Sequence, residues 1–96
     1  LNYGYEFVGD GKLVIAGHVP DFVDHKRREI IEFNGTYWHK DPGRDRSRAR
    51  DYVANGYRCL IIYAPMVTRS NAKSIAKKVK KFRELRYSPI CVATCS

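Results

Sequence analysis

Acidic residues are scarce in this chain. Ten Asp and Glu stand against eighteen Lys and Arg over 96 residues, a formal net charge of +8. Long apolar runs are absent: the longest, such as residues 59–65, fall far short of a membrane span. The opening Leu-Asn-Tyr-Gly-Tyr shows no signal-peptide pattern and no initiator Met, so we expect a piece of a longer chain. Repeats and low-complexity linkers are missing too. Cysteine is sparse and odd in number, so Cys59, Cys91 and Cys95 cannot all pair within the chain. A zinc site would need further ligands at matching spacing, and none is evident. A reduced compartment, the cytoplasm, is the expected location.

What is present is enough to fold. Hydrophobic residues make up 44% and aromatics 12%, which excludes a disordered composition and supports one domain over residues 1–96. The charge is uneven. Between Arg69 and Arg86 there are eight bases and one acid, a net of +7; the remainder of the chain carries only +1. So much charge on one stretch exceeds what solubility requires and suits a polyanion, with a merely solvated helix face as the plainer alternative.

Periodicity predicts the elements. Residues 5–8 and 12–19 alternate as two strands, with Asp10-Gly11 as the hairpin signal between them. The second runs on to Val23, with Pro20 marking an edge or bulge. Residues 29–34 make a third strand, ended by Gly35. Residues 37–43 read as loop on account of Pro42-Gly43. A helix follows from Arg44 or Asp45 to Asn55-Gly56, then a strand over residues 57–63. The last helix spans residues 70–86, with Ala72, Ile75, Ala76, Val79, Phe82 and Leu85 as its core stripe. Lys73, Lys77, Lys80 and Lys81 lie off that stripe. A short strand near residues 90–92 is a possible addition. The expectation is an α/β domain with a mixed sheet and the order β-β-β-α-β-α.

Several residues could carry chemistry. Asp21 and Glu32 fall on adjacent antiparallel strands, where two carboxylates can reach one cation. Such a cation, Mg²⁺ by donor type, would polarise a phosphodiester. Asn34 shares the face of Glu32 and could bond water or phosphate. The plainer alternative makes both acids ordinary exposed strand residues. His39 has the intrinsic pKa of a general base, and Asp45 could fix its tautomer, with Asp41 a competitor. A loop histidine and a helix cap are the alternatives. Trp38, after Tyr37, could stack on a base or anchor the loop in the core. His18 and His25 carry no companion pattern and read as surface residues.

Taken together, these residues resemble the very-short-patch-repair endonuclease family and the phage and intron homing endonucleases of the same fold, the EDxHD group of the PD-(D/E)xK nucleases. The resemblance rests on Pro20-Asp21-Phe22-Val23, the strand from Ile30 to Gly35, the aromatic pair before His39, Arg44-Asp45-Arg46, and Gly56-Tyr57-Arg58-Cys59-Leu60. Spacings match from Asp21 to Gly35 and from Asp45 to Gly56; the loop between His39 and Asp45 is shorter here. It implies a restriction-endonuclease-like core and a Mg²⁺- or Mn²⁺-dependent DNA endonuclease. In that reading Asp21 is the metal ligand, Glu32 a second ligand, Asn34 the variable active-site position, His39 the base and Asp45 its partner. Trp38, Arg44, Arg46, Lys73, Lys77, Lys80 and Lys81 would then contact double-stranded DNA. This sequence keeps an acid at Glu32 that the repair enzymes have lost, and has Asn34 where the wider superfamily has lysine. The family's N-terminal glutamate is expected outside this chain, and its structural zinc is not expected. The resemblance also implies further DNA-binding domains and a homodimer or sequential nicks. The competing reading is a non-catalytic DNA-binding module of the same fold; an RNA-directed nuclease would share the site, but no stacking surface for single strands is apparent.

Overall fold

The run Cys59-Leu60-Ile61-Ile62 offers water no polar side, so a strand made of it must be covered on both faces. It forms an interior strand of the sheet in the computed structural model, which describes residues 4–35, 41–64, 68–86 and 88–95. The elements are β1 (Glu6–Phe7), β2 (Phe22–Asp24), β3 (Glu29–Asn34), α1 (Pro42–Ala54), β4 (Arg58–Tyr63), α2 (Ala72–Glu84) and β5 (Ile90–Thr94). The five strands form one sheet in the order β1-β2-β3-β4-β5. The first three are antiparallel neighbours, and β3, β4 and β5 run parallel. The fold is therefore α/β with a mixed sheet.

The period of two along each strand sorts side chains into two cores. Val23, Ile30, Cys59 and Ile61 pack with Ala49 and Tyr52 of α1. Ile31, Leu60, Ile62 and Ala93 pack with Ile75, Val79 and Phe82 of α2. The two helices thus cover opposite faces of the sheet. Among the described residues no helix is long and apolar enough to cross a membrane.

The segment 12–19 is not a strand. Its only pairing is an isolated bridge between Ile15 and His18, closed by two backbone hydrogen bonds of 2.9 Å. Ala16 and Gly17, at φ 53° and 81°, form the tight turn inside it. Asp10-Gly11 does turn the chain, but β1 pairs with β2 instead, Glu6 opposite Val23. The physical reason is burial: Ile15, with Leu13 beside it, closes the edge of the α1-side core.

Both helices differ from expectation at their ends. α1 starts at Pro42, because proline suits a first-turn position whose N–H has no helical partner. Asp41, not Asp45, is the cap, its Oδ1 accepting from the Arg44 backbone N–H at 3.1 Å. α2 is confined to Ala72–Glu84. Asn71 precedes it, held as its Oδ1 accepts from Thr68 N at 2.8 Å, and Leu85 is already extended.

The amino end of β3 is locked by charge. Glu29 is fully buried and accepts from Tyr5 Oη at 2.9 Å and Arg58 Nη1 at 2.8 Å. Arg27, Arg83 and Arg86 lie within 3.3–3.7 Å of its carboxylate. Arg83 also reaches Asp24 at 3.1 Å, which fixes the last turn of α2 against β2. The first turn of α2 therefore lies toward the carboxyl end of the parallel strands.

Candidate functional site

Parallel strands followed by helices leave a crevice at their carboxyl ends, where ligands of open α/β sheets usually bind. Such a cleft of about 290 Å³ opens here, lined by Phe33, Asn34, Gly35, Asp41, Arg44, Asp45 and Arg48. It joins the end of β3 to the first turns of α1.

The antiparallel register builds one side of the site. Phe22 is opposite Ile31, so one step further places Asp21 opposite Glu32 on the face that α1 covers. Asn34 follows on the same face, beside Tyr63 of β4. Asp21 Oδ2 accepts from the Phe33 backbone N–H at 2.8 Å, extending the β2–β3 edge with a side chain. No described residue donates to its Oδ1. A Cβ built on Gly9 would come within 3.4 Å of that oxygen, so the glycine leaves it uncovered.

Glu32 is nearly buried, at 6% exposure. Its Oε1 accepts from Tyr52 Oη at 2.7 Å, and Arg48 Nη2 stands 3.6 Å from Oε2. Burial raises its pKa, against the pull of Tyr52 and Arg48; the nearby Asp21 charge adds to the rise. The Tyr52 hydroxyl is pushed well up by burial and by the Glu32 charge it donates to. Arg48 also donates through Nε to Tyr52 Oη at 3.1 Å and through Nη2 to Val19 O.

Asp45, in the first turn of α1, accepts a hydrogen bond from Tyr63 Oη. Burial and that carboxylate push the Tyr63 hydroxyl up to about 12. Asn34, Tyr63 and Asp45 thus form one connected group at the cleft. Of the five expected catalytic residues, the structure sets Asp21 opposite Glu32, and joins Asn34 and Asp45 through Tyr63 at the cleft. His39 and Trp38 lie outside the described residues. Arg44 and Arg46 are exposed on the first two turns of α1.

The expected DNA-contacting lysines stand elsewhere. Lys73, Lys77, Lys80 and Lys81 are all exposed on α2, across the sheet from α1. Lys73 and Lys77 belong to its early turns, toward the cleft's end of the sheet. Lys80 and Lys81 belong to the later turns, toward the Asp24–Arg83 pair.

Three residues of this neighbourhood carry no signal in the sequence. Arg48 and Tyr52 lie on the buried side of α1, one turn apart, a spacing that by itself reads as ordinary helix. His18 pairs with Asp51 of α1, Nε2 to Oδ2 at 2.8 Å, and its ring meets Tyr52 edge-on at 5.9 Å. A separation of 33 residues hides that pair.

The donors around Asp21 are oxygens of the hard kind that Mg²⁺ takes, one or two carboxylates sufficing beside water and phosphate. Asp21 fits with its open Oδ1; Glu32 fits less well, since both its oxygens already face donors. Among the described residues no group of three or more His, Cys, Asp or Glu side chains is placed to hold a metal ion. All three cysteines are free, Cys59 and Cys95 buried. No family model matches the chain, and neither a curated protein nor a solved structure matches it.

Proposed function

We propose that this chain is the catalytic domain of a divalent-metal-dependent DNA endonuclease with a restriction-endonuclease-like core, of the homing-endonuclease kind. The observation that carries the reading is Asn34 and Asp45 on the wall of a cleft that Arg44 and Arg48 also line, with the opposed carboxylates Asp21 and Glu32 behind that wall, Glu32 paired to Arg48. A bound Mg²⁺ or Mn²⁺ would supply Lewis-acid polarisation of the phosphodiester. Asp21 offers it an open carboxylate oxygen. Asn34 presents an amide able to bond phosphate or the attacking water. His39 is assigned as the base that takes the water's proton as the new P–O bond forms and the opposite one breaks, with Asp45 fixing its ring. Arg44, Arg46 and Trp38 would hold the duplex. Cutting both strands needs a second copy or two successive nicks, and recognition of a long target needs further DNA-binding domains.

A plasmid nicking assay with and without Mg²⁺ tests the reading. Asp21→Ala and His39→Ala are expected to abolish nicking while duplex binding persists; nicking at the unaltered rate by the double variant would sink it.

The second reading, a DNA-binding module without chemistry, is favoured by one feature: Tyr52 and Arg48 already occupy Glu32. A Mn²⁺ titration separates the two. Binding lost in Asp21→Ala supports the nuclease, and no binding at all supports the module.

A further inference from the structure

We infer that Arg48 forms a phosphodiester-binding site in the cleft, with Glu32 and Tyr52 serving as its anchor. The inference deepens the reading above and rests on it only for the identity of the phosphate. Arg48 is fixed behind the cleft wall by hydrogen bonds to Tyr52 Oη and Val19 O and by an ion pair with Glu32 Oε2 at 3.6 Å. These engage Nε and Nη2. Nη1, with its two N–H groups, takes no hydrogen bond among the described residues. Arg48 nevertheless lines the cleft and keeps 30% of its side chain exposed.

A guanidinium held this way has lost its rotamer freedom before any ligand arrives, which lowers the entropic cost of binding. Its planar fork suits phosphate oxygens better than a lysine's point charge does. Arg44 adds a second cation to the wall. The two acids there are turned to other partners: Asp41 caps the Arg44 N–H, and Asp45 accepts from Tyr63. The arrangement gives Glu32 a task as well. A buried acid facing a tyrosine hydroxyl and a guanidinium is a counter-ion that aims Arg48, so cation binding falls to Asp21.

The test measures binding rather than cleavage. A short duplex is titrated onto the chain in EDTA over a range of salt. Arg48→Met keeps the aliphatic stem and removes the fork. It is expected to weaken binding severalfold and to lower the slope of log K against log salt by about 0.9, the signature of one lost phosphate contact. Unchanged affinity and slope in a folded variant overturn the inference.

A second measurement needs no variant. Inorganic phosphate is added to the ¹⁵N-labelled chain, and the side-chain Nε–H signals are followed. Arg48 is expected to shift saturably while Arg28, stacked on Tyr57, stays still. Equal shifts at both, or none at Arg48, overturn the inference. Glu32→Gln is expected to leave Mn²⁺ affinity within twofold; a tenfold loss would return Glu32 to the ligand set and overturn its role as anchor. A chain that binds no Mn²⁺ but shows the Arg48 signature removes the nuclease reading and leaves the phosphate site standing. One that cuts without the signature does the reverse.

Discussion

Single side chains in this protein carry unequal electrostatic loads. Glu29 and Glu32 sit three residues apart on one strand, face opposite sides of the sheet, and are both buried among arginines. Glu29→Gln would leave Arg58, Arg83 and Arg27 without their shared counter-charge, and a loss of about 3–5 kcal/mol is expected from chemical denaturation. Tyr52→Phe removes one donor from Glu32 and one acceptor from Arg48; about 1–3 kcal/mol should be lost, read as a lower urea midpoint at unchanged slope. Two carboxylates should respond oppositely to pH. Asp24 loses solvation, but the backbone N–H groups of Arg27 and Lys26 and the Arg83 guanidinium more than offset this and hold its pKa below the ordinary range. Its contribution is present at neutral pH and lost as pH falls through the folded value, so Asp24→Asn should flatten stability against pH on the acid side. Glu32 is raised by burial, so the unfolded chain ionises it first as pH rises and stability falls just above the ordinary glutamate range. Thermal melts across pH, with Glu32→Gln removing that fall, check the sign. Of these residues the sequence disclosed Asp21, Glu32 and Asn34, because strand register and a period of two are local rules. It hid Arg48, Tyr52 and the His18–Asp51 pair, because which turn of a helix meets which strand is decided only by packing.

At the scale of elements, periodic segments were legible and irregular ones were not. β3 and β4 lie where their patterns put them, and α2 does so but for two residues at each end. The core stripe of α2 is narrower than its six candidates, since Ile75, Val79 and Phe82 are buried while Ala72, Ala76 and Leu85 are exposed. A helix laid on a twisted sheet buries one line of large side chains, small ones at the margin stay wet, and Leu85 lies past the helix end. Residues 12–19 misled because alternation there reflects two apolar side chains dipping into the core, Leu13 and Ile15, without a partner strand. Their tight turn holds Ala16 at φ 53°, a left-handed conformation that costs an alanine about 1–2 kcal/mol. Ala16→Asn should therefore raise stability by about 1 kcal/mol in urea melts, since asparagine tolerates that region. Gly17→Ala, at φ 81° in open space, should lower it through the backbone alone.

At the scale of the whole molecule, the net charge of +8 resolves into separate surfaces. Arg44 and Arg48 of α1 border the cleft, and the lysines of α2 occupy the far side of the sheet. A duplex lying across the carboxyl ends of the strands can touch the early turns of α2 but not its later ones, about 12 Å further along the helix between Lys73 and Lys81. Replacing Lys73 and Lys77 by Gln should therefore weaken duplex binding and lower its salt slope by about 2, while the same change at Lys80 and Lys81 should do less; fluorescence anisotropy against salt measures both.

The strand order has a consequence for biosynthesis. Every strand lies beside its chain neighbour, β1 to β5 in sequence. A chain leaving the ribosome can then add each strand to a finished edge, with no gap held open for a later segment. One lock waits longer than its strand: Arg83 and Arg86 reach Glu29 only after α2 has emerged, so the amino end of β3 stays unsecured until most of the chain is made.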